Sequence, residues 1–214
     1  MENLDKFEEI ANNNLNLSKQ EKEIAKDTKM LTKWELSKAK AREKLVKNEF
    51  EIIKVKDKLF EKTKKFIKKK QSVKDLMEYS DRGLEIELNH ALYNEKVSEA
   101  QKVIAETHIR IAKIEKEIVE QKINLIEEKM KVAKQRGKLA KKQYSYIKLK
   151  RTNSPEEKIT NARDRCISHQ KELLEEEKKL LEKNNDIKKL EHKLADLKKE
   201  LSQKLAEREK IRPE

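Results

Sequence analysis

The chain has 214 residues, of which 44% are charged, 35% are hydrophobic, two are glycine and two are proline, and its formal net charge is +13. An ordinary globular domain is about a quarter charged, so this composition excludes a thick apolar core. It allows narrow apolar seams between helices, or disorder. The cationic excess favours an acidic partner, which could be a lipid surface, nucleic acid or an acidic protein surface such as a tubulin lattice.

The cellular compartment follows from what the chain lacks. Cys166 is the only cysteine, so an internal disulfide is excluded and a reducing compartment is expected. Residues 1–17 are acidic and lack the apolar run of a signal peptide. No stretch approaches the roughly 20 apolar residues that a membrane span needs. We therefore expect a cytoplasmic protein, either free or peripherally associated with a membrane or the cytoskeleton.

The first predicted element is a short lead-in helix over residues 1–17. The asparagines at 12–14 interrupt its apolar face, because Asn competes locally for backbone hydrogen bonds. Ser18 and Glu21 then have the spacing of a capping box, which predicts that a long helix begins there. The lead-in is acidic, which disfavours its insertion into anionic lipid and favours a packed or frayed segment.

The first long helix is predicted over residues 18–79 by a seven-residue apolar period, which is typical of an amphipathic helix that buries one seam. Lys38 is the one exception in this period. The break at Ser80–Gly83 predicts a turn near 79–83. The residues that carry the period are Leu17, Ile24, Leu31, Leu45, Ile52, Leu59, Phe66 and Val73.

The second helix is predicted over residues 83–150, where the period has no exception. Gly137 inside it costs about 1 kcal/mol relative to alanine and indicates a bend or a close helix contact. The residues that carry this second period are Val97, Ile104, Ile111, Ile118, Leu125, Val132, Leu139 and Tyr146.

The second helix is predicted to end before Pro155, which pushes Ser154 out of helical geometry. Ser154 suits the N-cap of a third helix over 155–210, with Pro155 at its first position and Glu157 closing a capping box. The period of the third helix is carried by Ile159, Cys166, Leu173, Leu180, Ile187, Leu194 and Leu201.

Three helices of similar length joined by short turns are expected to fold back on one another. The predicted fold is all-α: one elongated, antiparallel coiled-coil domain over residues 18–212, which dimerises or pairs with another coiled coil. A single continuous rod that dimerises end to end is the alternative.

The basic residues are segregated along the chain. Residues 38–74 contain fifteen basic and five acidic residues, and residues 129–151 contain ten basic residues and no acidic one. The second cluster predicts a site for an anionic membrane or an acidic protein surface, although a solvated face that complements a helix C-terminus would have the same composition. Its members are Lys129, Lys131, Lys134, Arg136, Lys138, Lys141, Lys142, Lys148, Lys150 and Arg151.

Catalytic and metal-binding motifs are missing from the sequence. The four histidines, at 90, 108, 169 and 192, have no metal-ligand spacing, and there is no Gly-rich phosphate loop or nucleophile elbow. Cys166 lies in an apolar position and is interpreted as a small packing residue. We predict no enzymatic activity, no cofactor, no metal and no small-molecule substrate. Nucleic acid is disfavoured because neither a groove-reading element nor interleaved aromatics are present.

Residues 153–162, with the sequence NSPEEKITNA, resemble the turn between helices two and three in BAR domains of the sorting nexins and the ciliary BAR-like family. The resemblance implies antiparallel crescent dimers whose basic concave face and tips hold curved anionic membranes. The alternative is a structural coiled-coil protein of a cytoskeletal, ciliary or adaptor assembly. By resemblance, membrane contact would be made by Lys138, Lys141, Lys142, Lys148, Lys150 and Arg151.

Overall fold

The computed structural model describes residues 2–74 and 82–212, and within these ranges the chain is helical and contains no strand. The helices are α1 (Glu2–Lys74), α2 (Arg82–Arg151) and α3 (Glu156–Glu209). The all-helical prediction is confirmed, and the bounds predicted for the second and third helices agree to within one residue. The predicted end of the first helix at 79 lies outside the described residues. So does most of the predicted turn near 79–83, whose last two residues already belong to α2.

The predicted boundary between a lead-in helix and the first long helix is wrong. The helix α1 continues through the asparagines at 12–14 and past Ser18. Each Asn costs only a few tenths of a kcal/mol in a helix, to about 0.7 kcal/mol at most, and packing on both sides outweighs that cost. Ala11 and Ser18 are both buried. Ser18 and Glu21 do not cap a helix: capping-box spacing is also one helical turn, and here both side chains contact α2.

The α2–α3 turn ends α2 in a Schellman arrangement. The Ser154 N–H donates to the Leu149 carbonyl over 3.1 Å, and the Asn153 N–H donates to the Lys150 carbonyl over 3.4 Å. Asn153 has a φ of 46°, in the left-handed region that asparagine tolerates best after glycine. The Lys158 and Ile159 N–H groups donate to the Pro155 carbonyl, so α3 begins at Glu156, one residue later than predicted.

By its contacts the chain divides into two compact units. Unit 1 consists of Met1–Ser37 and Ile118–Lys189, and unit 2 consists of Lys38–Glu117 and Leu190–Glu214. Each unit contains a segment of every helix, packed as a helical bundle.

In unit 1, small residues bring α1 against α2. They recur every seven residues on the buried side of α1, at Ala11, Ser18, Ala25 and Thr32. One of them, Ser18, packs on Gly137 of α2, and its hydroxyl donates to the Ala133 carbonyl over 2.6 Å. The close contact predicted at Gly137 is therefore confirmed. A large side chain on either helix would force the backbones apart.

In unit 2, the interior combines larger apolar residues with alanines, and ion pairs join the helices at its surface. Val46 and Ile67 of α1 are buried, as is Leu197 of α3. Ion pairs join Arg42 of α1 to Glu115 of α2 and Lys64 of α1 to Glu95 of α2. The buried apolar residues of α2 in this unit are Ala91, Ile104, Ala105, Ile111, Ala112 and Ile114.

The apolar stripe predicted to be buried on α1 is exposed, which is the largest departure from the sequence prediction. In unit 1 it comprises Leu17, Ile24 and Leu31, and in unit 2 Leu45, Ile52, Leu59 and Phe66, with 44–68% of each residue exposed. The buried stripe lies one residue later along the helix. It contains the small residues of unit 1, which allow a closer approach to α2 than leucine or isoleucine would. The side chain of Val73 lies outside the described residues.

The stripes predicted on α2 and α3 do turn inward. On α2, Val97, Leu125 and Tyr146 are half-buried, and the stripe's other five members are fully buried. On α3, Ile187 is buried and the other six members are half-buried.

Candidate functional site: the cationic surface of α2

Four lysines form an exposed row on α2 in unit 1, and we call it the lysine row: Lys134, Lys138, Lys141 and Lys148. They follow one another at steps of four, three and seven residues, with exposed Ser145 completing the pattern. Steps of three and four residues keep side chains on one helix face. The row extends over 15 residues, from Lys134 to Lys148, or about 21 Å of helix at 1.5 Å per step. The small residues that pack on α1 lie on a different face of α2.

The lysine row carries charge that the protein does not neutralise. None of its four ammonium groups forms an ion pair with any residue in 2–74 or 82–212. The sequence explains this, because residues 129–151 contain no carboxylate that could pair one helical turn away. Lys142 lies beside the row, is half-buried and likewise has no ion-pair partner in the described chain.

Two of the ten predicted site residues instead hold the bundle of unit 1 together. Arg136 pairs with Glu21 of α1 and with Glu177 of α3, 3.3 Å away, so one guanidinium joins all three helices. Arg151 pairs with Asp5 and Glu8 of α1. A guanidinium has five donors in a fixed plane and can bind two carboxylates at once, which suits it to this role.

Three more predicted site residues lie away from the lysine row or are already paired. Lys131 pairs with Glu128 over 2.8 Å, and this hydrogen bond is the main reason that the pKa of Lys131 is raised. Lys150 lies over the Tyr146 ring, with its ammonium 5.7 Å from the ring centroid. Lys129 lines a hollow between α1 and α3. The structure therefore does not bring the ten residues together as one surface.

The environment of Cys166 agrees with its interpretation as a packing residue. Cys166 is half-buried, and this burial raises the pKa of its thiol while Lys142 partly opposes the shift. A raised pKa keeps the sulfur in the less nucleophilic thiol form. Within the described ranges, no group of three or more His, Cys, Asp or Glu side chains is placed to hold a metal ion.

Carboxylates with clearly lowered pKa values lie in ion pairs at the bundle surface. The Lys47 ammonium, followed by that of Lys116, donates hydrogen bonds that lower the pKa of Glu43. Lys29 has the same effect on Glu127. A lowered pKa keeps these groups ionised at neutral pH, whereas a general acid needs a raised one. Their arrangement is that of structural ion pairs between helices.

No helix in the described part of the chain contains an apolar stretch long enough to cross a membrane. In comparisons with known proteins, the chain matches no protein-family model, no curated protein and no solved structure.

Proposed function

We propose that this protein is a non-enzymatic scaffold that binds and shapes anionic membrane surfaces. The observation that carries the proposal is the lysine row, in which four exposed ammonium groups on one helix face have no carboxylate partner among the described residues. Cations in ion pairs must give up a partner before they bind a new anion. The lysine row binds without that cost.

The charge of the row is sufficient for reversible membrane association. Each lysine close to an anionic lipid surface contributes about 1 kcal/mol, so four contribute about 4 kcal/mol at low salt. Because the interaction extends over about one Debye length, roughly 8 Å at physiological ionic strength, the row must lie directly on the surface.

We further propose that the three helices form an antiparallel coiled coil. In unit 1, Asp5 of α1 contacts Arg151 near the end of α2, and Lys29 contacts Glu127. Positions that increase along α1 therefore meet positions that decrease along α2. The order is the same in unit 2, where Lys64 follows Arg42 on α1 and pairs with Glu95, which lies earlier in α2 than Glu115, the partner of Arg42.

A dimer accounts for the exposed apolar stripe in unit 2. Five apolar side chains of α1 are each more than half exposed there: Leu45, Ile52, Val55, Leu59 and Phe66. A standard interface buries about 800 Å² per partner, and these five side chains supply roughly half of that area. Four of them, Leu45, Ile52, Leu59 and Phe66, lie seven residues apart, which suits a helix of a second chain. This organisation agrees with what the resemblance of residues 153–162 to BAR domains implies.

A structural coiled-coil protein of a cytoskeletal, ciliary or adaptor assembly is the second candidate. The same exposed stripe favours it, because helices of another protein could cover the stripe as well as a second copy could. In that function the lysine row would bind an acidic protein surface such as tubulin. The two candidates differ in whether lipid alone is sufficient for binding.

Co-sedimentation with vesicles tests the proposal. The full chain should pellet with phosphatidylserine-containing vesicles and not with pure phosphatidylcholine vesicles, and electron microscopy should show tubules or smaller vesicles. The variant K134E/K138E/K141E should lose at least 100-fold in affinity, because removing three favourable charges alone costs about 3 kcal/mol. A matched control is K188E/K193E/K199E, which reverses three exposed α3 lysines that have no ion pair with a described residue.

The control variant has the same net charge as the test variant, so it separates a local site from a general effect of charge. It should bind nearly as well as the wild type. Equal loss in both variants would reject the lysine row as the site. Binding to microtubules but not to anionic vesicles would favour the structural coiled-coil alternative.

A further inference from the structure

A groove runs along unit 1 between α1 and α3, with α2 as its floor. At one place it opens into a cavity of about 450 Å³. Leu4, Phe7 and Ile10 of α1 form one wall, Cys166 and Ile167 of α3 form the other, and Tyr146 and Ile147 lie at the base.

Further along unit 1 there is a second hollow between the same two helices. Its volume is about 360 Å³, and it is lined by Ile24 and Ala25 of α1, Val132 of α2 and Leu180 of α3. Both hollows have an apolar lining drawn from all three helices. Both lie between α1 and α3 of unit 1.

The walls of the groove have the periodicity of a helix-binding surface. On α1 the exposed residues Ile10, Leu17, Ile24 and Leu31 lie seven residues apart. On α3 the exposed residues Ile167, Leu174 and Leu181 have the same spacing. Two apolar rows with a seven-residue period suit another α-helix that inserts its own side chains between them. An acyl chain has no such period.

The charges along the groove identify the kind of helix. Lys150 and Arg163 line the first hollow and Lys129 lines the second. All three are exposed and none forms an ion pair with a described residue. The other charged groups of the second hollow, Glu21 and Arg136, neutralise each other. An occupant with carboxylates beside its apolar face would therefore form ion pairs with these three cations.

We propose that this groove binds an acidic amphipathic helix of a partner protein, which completes a four-helix bundle in unit 1. From Ile10 to Leu31 the α1 wall has 22 residues and is about 31 Å long at 1.5 Å per step. A second copy of this chain complements the cations poorly, because its α3 contains fourteen acidic and fourteen basic residues. The site is independent of the lysine row and of the proposed membrane function.

A synthetic helix provides the probe. It is a fluorescein-labelled peptide of about 28 residues, with leucine at the two core positions of each heptad and glutamate at the flanking positions. A matched peptide carries lysine at the flanking positions. Fluorescence anisotropy with the intact chain should show that the glutamate peptide binds at least tenfold more tightly than the lysine peptide. In the K150E/R163E variant this preference should shrink or reverse.

A groove variant and its control locate the binding. The variant I10E/I167E places two carboxylates on the walls of the groove at exposed positions, so it should still fold. Its affinity for the glutamate peptide should be at least tenfold lower than that of the wild type. The control I52E changes an exposed isoleucine of α1 in unit 2, and its affinity for the peptide should equal that of the wild type. The K134E/K138E/K141E variant should still bind the peptide, which separates failure here from failure of the membrane proposal.

Several results would overturn the inference. Equal binding of the two peptides would show that the cations do not select the occupant, and unchanged binding by I10E/I167E would place the peptide elsewhere. If I10E/I167E instead converts a dimer into a monomer by light scattering, the occupant is a second copy. If it abolishes vesicle binding without weakening the peptide, the groove holds a lipid chain.

Discussion

The contact between Gly137 and Ser18 makes a testable claim about how α1 packs on α2 in unit 1. A β-carbon added at position 137 would lie 2.5 Å from the Ser18 hydroxyl oxygen and 3.4 Å from the Ser18 β-carbon. The hydroxyl is held in place by its 2.6 Å hydrogen bond to the Ala133 carbonyl. The substitution Gly137→Ala must therefore move the hydroxyl or separate the helices.

The expected change in stability is a difference between opposing effects. Alanine in place of glycine inside a helix gains about 1 kcal/mol. Overpacking costs about 1–3 kcal/mol, and loss of the Ser18 hydrogen bond with its hydroxyl still buried costs another 1–3 kcal/mol. We expect Gly137→Ala to lower the free energy of unfolding by about 2 kcal/mol, against the sign predicted by helix propensity alone.

The double variant S18A/G137A isolates the contact. It lacks the hydroxyl, and the two β-carbons at 3.4 Å are in tight but tolerable contact. It should recover most of the lost stability, giving a coupling energy of at least about 1 kcal/mol in a double-mutant cycle.

Urea denaturation followed by circular dichroism at 222 nm measures these quantities, at protein concentrations high enough to keep the oligomeric state constant. An increase in stability for Gly137→Ala alone would refute the packing of Ser18 on Gly137. So would additivity of the two substitutions.

Three further predictions concern the turn, the ion pairs and the cysteine. Asn153 has a φ of 46°, a left-handed conformation that alanine disfavours. Asn153→Ala should therefore lower the free energy of unfolding by about 1 kcal/mol, whereas Asn153→Gly should leave it unchanged, both measured by urea denaturation. Lysine partners lower the pKa values of Glu43, Glu127 and Glu200 from the ordinary 4.5. The stability that these ion pairs contribute is therefore present above pH 4.5, and it is lost as the pH falls through the lowered pKa values. A melting temperature that stays constant from pH 5 to well below 4.5 would contradict these pairs. The Cys166 thiol, whose pKa burial raises, should react with a disulfide reagent at pH 8 more slowly than a free cysteine, and an equal rate would contradict its placement.

The bounds of α2 and α3 could be predicted because local signals determine them. Seven-residue periods identify the helices. Pro155 and its neighbours end α2 regardless of how the helices pack on one another. Asn153 was missed as the residue that ends α2, although asparagine is the commonest non-glycine residue in the left-handed conformation. The signal was present in the sequence and could have located the turn to one residue.

The buried side of α1 could not be predicted from the sequence. A seven-residue period identifies an apolar stripe on a helix, but it does not show which helix or chain packs against that stripe. In unit 1, large apolar residues such as Ile24 looked like the core, while the adjacent stripe of small residues is the one buried. Close approach between two backbones favours small side chains, and the large ones remain exposed.

The cationic surface was predicted in composition and only partly in arrangement. Lysines without nearby carboxylates could be found from the sequence, and they form the lysine row. The roles of Arg136 and Arg151 could not, because their partners Glu21 and Asp5 lie 115 and 146 positions away in sequence. Only the tertiary fold brings these groups together.

The most direct test of the membrane account places a spin label in the middle of the lysine row. Ser145→Cys in a Cys166→Ser background carries the label, and Ser202→Cys, an exposed position on α3 in unit 2, is the matched control. On addition of phosphatidylserine vesicles, the label at 145 should lose collisions with a water-soluble paramagnetic relaxant, and the label at 202 should change much less. Unchanged accessibility at 145 in a chain that is bound to the vesicles would contradict the account.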